Sequence, residues 1–289
     1  MPDQHLYYDR VWKKSNLPIT PKKQDFDQRR IFFKDEMGFA DRMTQLIASP
    51  KAIDVTVSIA QDFVKKSVQE FSFNPSNQNH WAQFFEVCDS QNLGFNEIYY
   101  FWPITPPKKE IPSHALDLSE QFLYFIQSLV RLEWSNKSKV LIFSNSAHKI
   151  ASQEELIHPQ YAPLYGASLS IAAEYPELNF HLIDLDPSKD CHQLDQFHDS
   201  NAQSQLSEIW HGYRDNSIYV TRLKKHNLLP INHQISCIHS NASYLVTGGT
   251  KGLGLEMVKQ LISLGAKWLI LLRNLGCAWT RVESVSILE

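Results

Sequence analysis

Cysteine is scarce, with four residues in 289, and Cys88, Cys191, Cys237 and Cys277 are scattered along the chain. No two stand at the two-residue spacing that sets thiolates around a metal ion, so they are expected to be reduced and mostly buried. No block of like charge occurs either. Twenty-eight basic residues face 31 acidic ones, for a net charge of −3, which leaves no electrostatic footprint for nucleic acid or an anionic membrane. Long apolar runs are also missing. The stretch from Trp268 to Leu272 is among the longest, far short of the roughly 20 residues that span a bilayer. The opening MPDQHLYYDRVWKK lacks the apolar core of a signal peptide. These absences point to a soluble, cytoplasmic protein with no nucleic-acid or membrane partner. Among the nearest histidine clusters is His192 with His198, in CHQLDQFHD. That spacing matches no ligand pattern, so no metal site is expected.

What the chain does contain is material for a core, 43% hydrophobic and 12% aromatic residues. Short runs rich in β-branched and aromatic residues alternate with longer segments of helical period, which predicts an α/β fold with parallel strands. Strands are expected at Ile31 to Phe33, Val55 to Ile59, Ile98 to Trp102, Lys139 to Phe143 and Phe180 to Leu185. Between them, Phe39, Met43, Leu46 and Ile47 share a helical face. So do Trp81, Phe84, Phe85 and Cys88, and so do Leu118, Phe122, Phe125, Ile126, Leu129 and Leu132. A further helix is expected from Leu164 to Tyr175, and Tyr161 and Tyr165 are expected to pack at its start. Residues 186–208 are polar and read as an exposed connection. Residues 208–222 read as a hairpin about the turn Arg214-Asp215-Asn216-Ser217. The mixed, polar segment 224–243 places a domain boundary near residue 240, dividing the chain into 1–240 and 241–289.

The first domain has the alternation of a nucleotide-binding fold without the means to bind one. A strand that serves a pyrophosphate must run into glycines that let backbone amides approach it at a helix N-terminus. Phe33 is instead followed by Lys-Asp-Glu-Met-Gly, which sets Asp35 and Glu36 where an anion would have to lie.

The second domain opens differently, with YLVTGGTKGLG from Tyr244 to Gly254. A strand, a glycine loop, a helix over Leu255 to Leu264 stopped by Gly265, and a second strand over Trp268 to Leu272 make one βαβ unit. In the helix, Met257, Val258, Leu261 and Ile262 are expected on one face. Gly248, Gly252 and Gly254 follow the spacing TGxxxGxG: the first turns the chain, and the later two admit a pyrophosphate and pack the helix on the strand. Glycine spacing alone is weak; set between a strand and a helix it is strong. The expected cofactor-binding residues are Thr247, Gly248, Gly249, Thr250, Lys251, Gly252, Leu253 and Gly254, with Arg273 at the end of the second strand. Lys251 and Arg273 are placed to meet a 2′-phosphate, which favours NADPH over NADH; the same two residues also fit plain solvated charges.

Several segments, in order, resemble the N-terminal part of the ketoreductase domain of modular polyketide synthases, and are similar to that of animal fatty acid synthase. They are LYYDRVWKK, RRIFFKDEMGFADRM, YYFWPIT, APLYGASLSIAAEYPELNFHLIDLD, GYRDNSIYVTRL and YLVTGGTKGLG. The resemblance implies a cofactor-free Rossmann-like structural subdomain followed by a short-chain-dehydrogenase half. It also implies NADPH-dependent reduction of β-ketoacyl thioesters carried on an acyl carrier protein, among other synthase domains. The family's Ser, Tyr and Lys lie downstream of the nucleotide loop. No tyrosine in these 289 residues is followed four positions later by lysine. Tyr175 and Asn179 fit a Tyr-x-x-x-Asn pattern but precede the loop. The family usually has Ser-Arg after the second strand, where this chain has Arg273-Asn274, and Gly276 to Leu288 matches neither the family nor an amphipathic period.

The expectation is therefore a ketoreductase fragment that stops after its first βαβ unit, by frameshift or an unrelated terminus. No catalytic residue can be named in it, and it is expected to be inactive alone. The alternative is a non-enzymatic structural or docking module of a synthase assembly. A standalone NADPH sensor is less favoured, because a dinucleotide contacts more of a sheet than one βαβ unit supplies.

Overall fold

The computed structural model describes residues 7–15, 28–105, 110–132, 134–135, 138–151, 157–186, 190–199, 208–215, 217–226, 238–272 and 280–282. The chain divides into two compact units, one spanning Tyr8–Lys225 and the other comprising the remainder.

In the larger unit, strands buried on both faces alternate with helices. The strands are β1 (Tyr7–Lys14), β2 (Arg29–Phe33), β3 (Ile53–Ile59), β4 (Val64–Lys65), β5 (Glu70–Phe73), β6 (Glu97–Tyr100), β7 (Lys139–Asn145), β8 (Asn179–Leu185), β9 (Trp210–Arg214) and β10 (Ser217–His226). They form one ten-stranded sheet in the order β1-β10-β9-β8-β7-β6-β2-β3-β5-β4. From β9 to β5 every neighbouring pair is parallel, with β10 and β4 antiparallel at the flanks. Period-two alternation assigns the side chains. Ile31, Phe33, Ile98, Tyr100, Val140, Ile142, Phe180 and Leu182 enter one core. The intervening Phe32, Tyr99, Leu141, Phe143, Ile183 and Leu185 enter the other.

Helices α2 (Gln78–Ser90), α3 (Ile111–Leu129) and α4 (Ala162–Glu174) cover the first face, and α1 (Phe39–Leu46) and α5 (Gln193–Asp199) the second. Their starts follow local chemistry. Asn77 caps α2, its side chain accepting the Asn79 amide at 3.0 Å, and Pro112 sits in the first turn of α3, where no donor is needed. The expected hairpin forms with Arg214 opposite Ser217, so a two-residue turn joins β9 and β10. Asp215 there adopts φ 45°, as such turns require.

Three expectations for this unit are corrected. The strand at Ile98 stops at Tyr100, because Pro103 has no N–H to continue a ladder and residues Trp102–Ile104 wind into a 3-10 turn instead. Strands β4 and β5 were not expected; β5 buries Phe71 and Phe73 beside β3. The polar segment 186–208 contains α5, whose Leu194 and Phe197 are 0% and 1% exposed. Two apolar residues one turn apart suffice to dock a short helix, too weak a period to stand out among glutamines and aspartates. Gln193 fixes its start by accepting the Asp186 amide at 2.8 Å and donating to the Asp186 carbonyl at 3.2 Å.

The smaller unit is a βαβ motif with one added strand. β11 (Ser243–Thr247) and β12 (Trp268–Leu272) run parallel, Ser243 opposite Trp268 and Thr247 opposite Leu272. α6 (Gly252–Ser263) connects them. β13 (Thr280–Val282) pairs antiparallel with β12, in a stretch where no strand was expected. The core is small: Val246, Val258 and Leu269, flanked by Tyr244, Leu261, Ile262 and Leu271. The helix begins three residues earlier than the apolar period implied, and Met257 is 56% exposed instead of facing inward. Gly265, at φ 99°, ends it and donates its N–H to the Ile262 carbonyl at 2.9 Å.

Candidate functional site

In the large sheet the chain steps from β2 to β3 and β5 on one side, and returns through β6, β7, β8 and β9 on the other. The order therefore reverses between β2 and β6, which is where open α/β sheets present a crevice at their carboxyl ends. Here it is filled. The Phe101 amide donates to the Phe33 carbonyl at 3.1 Å, tying the two strand ends together. Phe101 stacks on Phe143 at 4.1 Å, and Trp102 meets Phe33 edge-on at 4.9 Å. The Asp35 carboxylate, 7% exposed, turns onto the start of α1 and accepts the amides of Met37, Phe39 and Ala40 at 2.8, 3.1 and 2.8 Å. Those are the donors an external anion would use. They already hold one.

The β11–α6 loop is built the opposite way. Gly248 and Gly252 adopt φ 70° and 56°, the left-handed region, and a Cβ on either would meet nothing within 4 Å. Their outer faces are open. Gly254 has no such freedom: a Cβ there would run into the Gly248 carbonyl, so α6 can approach the loop only as glycine permits. Gly249 is buried, and its Cβ would press Leu271 at 2.9 Å. The loop is anchored by the Gly248 amide, which donates to the Leu272 carbonyl at 2.8 Å. Lys251 precedes the helix in an extended conformation, and no side chain caps it. The first-turn amides of Gly252, Leu253 and Gly254, which have no intrahelical acceptor, carry the positive end of the helix dipole. Thr247, Gly248, Thr250, Lys251, Gly252 and Leu253 are exposed and Gly254 is half-buried. All eight expected loop residues thus lie together on one bend, while Arg273 lies outside the described residues. The geometry suits a pyrophosphate, which needs open backbone, uncapped amides and no competing carboxylate.

A second polar cluster, not expected from the sequence, lies at the carboxyl ends of β7, β8 and β9. The Ser144 and Tyr165 hydroxyls share a hydrogen bond of 2.9 Å, and Ser144 donates to the Asp184 carboxylate at 3.1 Å. Asp184 also accepts the amides of Ala147 and His148 at 2.8 and 3.0 Å, and Arg214 donates to it at 3.0 Å. A serine beside a tyrosine is the pair that acid catalysis at a carbonyl would use. Both are 2% exposed, however, and burial pushes the Tyr165 phenol well above its ordinary pKa. The Asp184–Arg214 pair satisfies the cluster internally, which marks it as a buried brace joining three strands and α4. Tyr161, also at the start of α4, donates to the Pro103 carbonyl at 2.9 Å. Asn179 is taken up by His181 at 2.7 Å, and Tyr175 ends α4 half-buried. Among the described residues no group of three or more His, Cys, Asp or Glu side chains is arranged to hold a metal ion. None of the described helices is long and apolar enough to cross a membrane.

No protein-family model matches the chain. Among curated proteins it is 30% identical to a phenolphthiocerol/phthiocerol polyketide synthase polypeptide of Mycobacterium tuberculosis over 139 residues, covering 46% of this chain and 8% of that protein. It is 26% identical to 6-methylsalicylic acid synthase of Aspergillus terreus over 170 residues, covering 56% of this chain and 8% of that protein. Among solved structures, 93% of the chain superimposes on an adenylation, ketoreductase and pseudo Asub multidomain structure of a keto acid-selecting NRPS module, with TM-score 0.75, 19% identity and 22% of that chain covered. An N-terminal ketoreductase from the macrolactin assembly line gives TM-score 0.69 at 16% identity, with 93% of this chain and 59% of that one covered. The chain therefore has the Rossmann-like fold of polyketide synthase ketoreductase domains and is similar in sequence to polyketide synthases, of whose length it spans a small part.

Proposed function

We propose that this chain is part of a polyketide-type ketoreductase, with residues 1–240 as a cofactor-free structural subdomain and 241–289 as the opening of the NADPH-binding catalytic subdomain. One observation carries the reading. Gly254 is pressed against the Gly248 carbonyl while Gly248 and Gly252 leave open space outward, so each glycine stands where a pyrophosphate cradle needs one. Thr247 to Gly254 would hold the pyrophosphate, and Lys251 with Arg273 the 2′-phosphate. NADPH, when bound, supplies hydride for the β-keto group of an acyl thioester on an acyl carrier protein. The chain's own residues would bind and orient, and among the described residues the Ser144–Tyr165 pair is not placed to serve as a proton donor. The Ser144–Tyr165 pair is buried and braced, and no tyrosine in the sequence has a lysine four positions on.

These residues by themselves are thus catalytically incomplete. Purified chain is expected to bind NADPH weakly and more tightly than NADH, and to leave a β-ketoacyl thioester analogue unreduced. Sustained NADPH oxidation dependent on that substrate would overturn this.

A second reading, a non-enzymatic structural or docking module of a polyketide or fatty acid synthase, is favoured by the surface of the smaller unit. Leu245 is 56% and Trp268 37% exposed on β11 and β12. Co-purification with a synthase polypeptide, undiminished by substitutions in the glycine loop, would favour it.

A further inference from the structure

The second face of the large sheet carries polar side chains at the amino ends of its strands. Glu97 stands opposite Lys139, and Lys139 opposite Asn179. His181 comes two residues after Asn179 on the same face, and His211 follows on β9. The two imidazoles are 4% and 2% exposed, with ring centroids 5.6 Å apart. Both meet one atom. The Glu208 carbonyl oxygen lies 2.8 Å from His181 Nδ1 and 2.7 Å from His211 Nε2.

A carbonyl oxygen only accepts, so each of those two nitrogens must carry a proton. The neutral rings are therefore opposite tautomers, His181 protonated at Nδ1 and His211 at Nε2. Their remaining nitrogens differ. His181 Nε2 meets the exposed side-chain amide of Asn179 at 2.7 Å, which can turn either its N–H or its oxygen to the ring. His211 Nδ1 is buried and, among the described residues, has no hydrogen-bond partner. A second proton there would be a donor without an acceptor, on a charged and buried ring. The charges that act on His211 are those of His181, Lys139 and Arg222, and the charge that acts on His181 is that of Lys139. Among the described residues no carboxylate acts on either ring: Glu97 acts on Lys139 and accepts the Tyr99 hydroxyl at 2.8 Å, and the Glu208 carboxylate accepts Arg222 at 2.8 Å.

The shared carbonyl sits at the entry to β9. The next carbonyl, of Ile209, accepts the Leu182 amide at 2.7 Å, and Trp210 and His211 then stand opposite Leu182 and Ile183. β9 in turn carries β10, and β10 carries β1 at the edge of the sheet. The far end of β9 is fastened separately, by Arg214 on the Asp184 carboxylate at 3.0 Å.

We propose that the Glu208 carbonyl, His181 and His211 form an acid-released latch: a proton on His211 frees the start of β9 from β8 and loosens the β9–β10–β1 flank, while the strands from β8 to β5 stay paired. The proposal is independent of the coenzyme reading. Burial disfavours the charged rings in the closed state, whereas released rings titrate near 6.5. The closed state is thus fully favoured above that pH and weakens below it. From pH 7 to pH 5 the opening constant should grow about 25-fold for each histidine released, or roughly 600-fold for both.

Amide exchange of the full chain, corrected for the intrinsic effect of pH on exchange, tests this together with imidazole nitrogen NMR. At pH 7 the spectra should show two neutral rings of opposite tautomer. At pH 5 the amides of Leu182 and residues 210–212 should open at least about 25-fold more than at pH 7. They should also open at least about a hundredfold more than amides of β2, β6 and β7 at the same pH, because a flank opens below the cost of global unfolding. His211→Gln keeps an N–H for the Glu208 carbonyl and cannot become charged, so it should cut the acid rise about 25-fold. A ring charged at pH 7, the same tautomer in both, or a full acid rise in His211→Gln would overturn the proposal. So would residues 210–212 as protected as the central strands, since acid would then act only through global unfolding. Should His211→Gln not fold, the wild-type tautomers and the regional pattern still decide.

Discussion

The chain builds the same turn twice, and the two copies are opposites. After β2, the strand-to-helix turn carries Asp35, whose carboxylate occupies three amides at the start of α1. After β11, the turn carries Gly248, Gly252 and Gly254, and α6 begins with no capping side chain. One turn supplies its own anion; the other leaves its first-turn amides without a side-chain cap. Both follow from the same electrostatics, the positive end of a helix that must be met by something. A parallel sheet with helices on both sides is thus no indication of cofactor binding by itself, and the deciding residues are the few that follow the first strand.

Substitution at either turn puts this contrast to the test. The largest effect is expected for Gly254→Val. Its side chain collides with the Gly248 carbonyl, and a core of three buried residues is expected not to absorb the strain, which should exceed about 3 kcal/mol. Amides of residues 243–272 should lose protection from hydrogen exchange while those of β2, β6 and β7 keep theirs. Retained protection in α6 would mean the loop is not held as described. Next comes Asp35→Ala, which strips three buried or half-buried amides of their acceptor and should cost about 2–3 kcal/mol in urea unfolding. It should not create NADPH affinity in the large unit, because Phe101 and Trp102 still fill the switch point. If it did, the carboxylate would be the sole barrier.

Two histidines extend the contrast between buried and solvated chemistry. His181 and His211 both approach the Glu208 carbonyl, at 2.8 and 2.7 Å. Burial pushes their pKa values down to about 4 and about 3. In the unfolded chain a histidine titrates near 6.5, so below that pH the unfolded state binds protons the folded state refuses. Stability should be level above about pH 6.5 and fall as pH drops toward 4, by up to roughly 1.4 kcal/mol per pH unit for each histidine. Urea midpoints at pH 7 and pH 5 check this. The double variant His181→Gln with His211→Gln should have a shallower slope, and an unchanged one would assign the acid loss to other groups. The smallest effect is expected for Lys251→Ala, a loss of about 1 kcal/mol in NADPH affinity with NADH affinity unchanged. An equal loss for both coenzymes would remove the 2′-phosphate contact.

The fold was legible wherever one residue class repeated with a clear period. Ile31, Phe32 and Phe33, the α3 stripe from Leu118 to Leu129, and the glycines of the β11–α6 loop all signal their structure locally. What stayed hidden lacked a local signal. β5 has four residues, Glu70–Phe73, and is a strand because β3 offers its edge. α5 has seven, and holds because Leu194 and Phe197 find a hydrophobic layer already made by α1 and the sheet. The brace of Ser144, Tyr165, Asp184 and Arg214 joins residues up to 70 positions apart in the sequence, and no spacing rule marks them as partners. The glycine bend was visible for a simpler reason: its geometry depends on residues lacking side chains, within seven consecutive positions from Gly248 to Gly254.

Residue order alone settled the alternation of strands and helices and the placing of the glycine turn, because backbone freedom and period-two or helical burial are properties of neighbours along the chain. What each turn does was left to tertiary contacts. Whether a carboxylate reaches its helix, whether a hydroxyl pair is sealed, and which helix face is left uncovered depend on what other segments bring together. Hydrogen bonds and burial form between elements, and local residue order does not specify them.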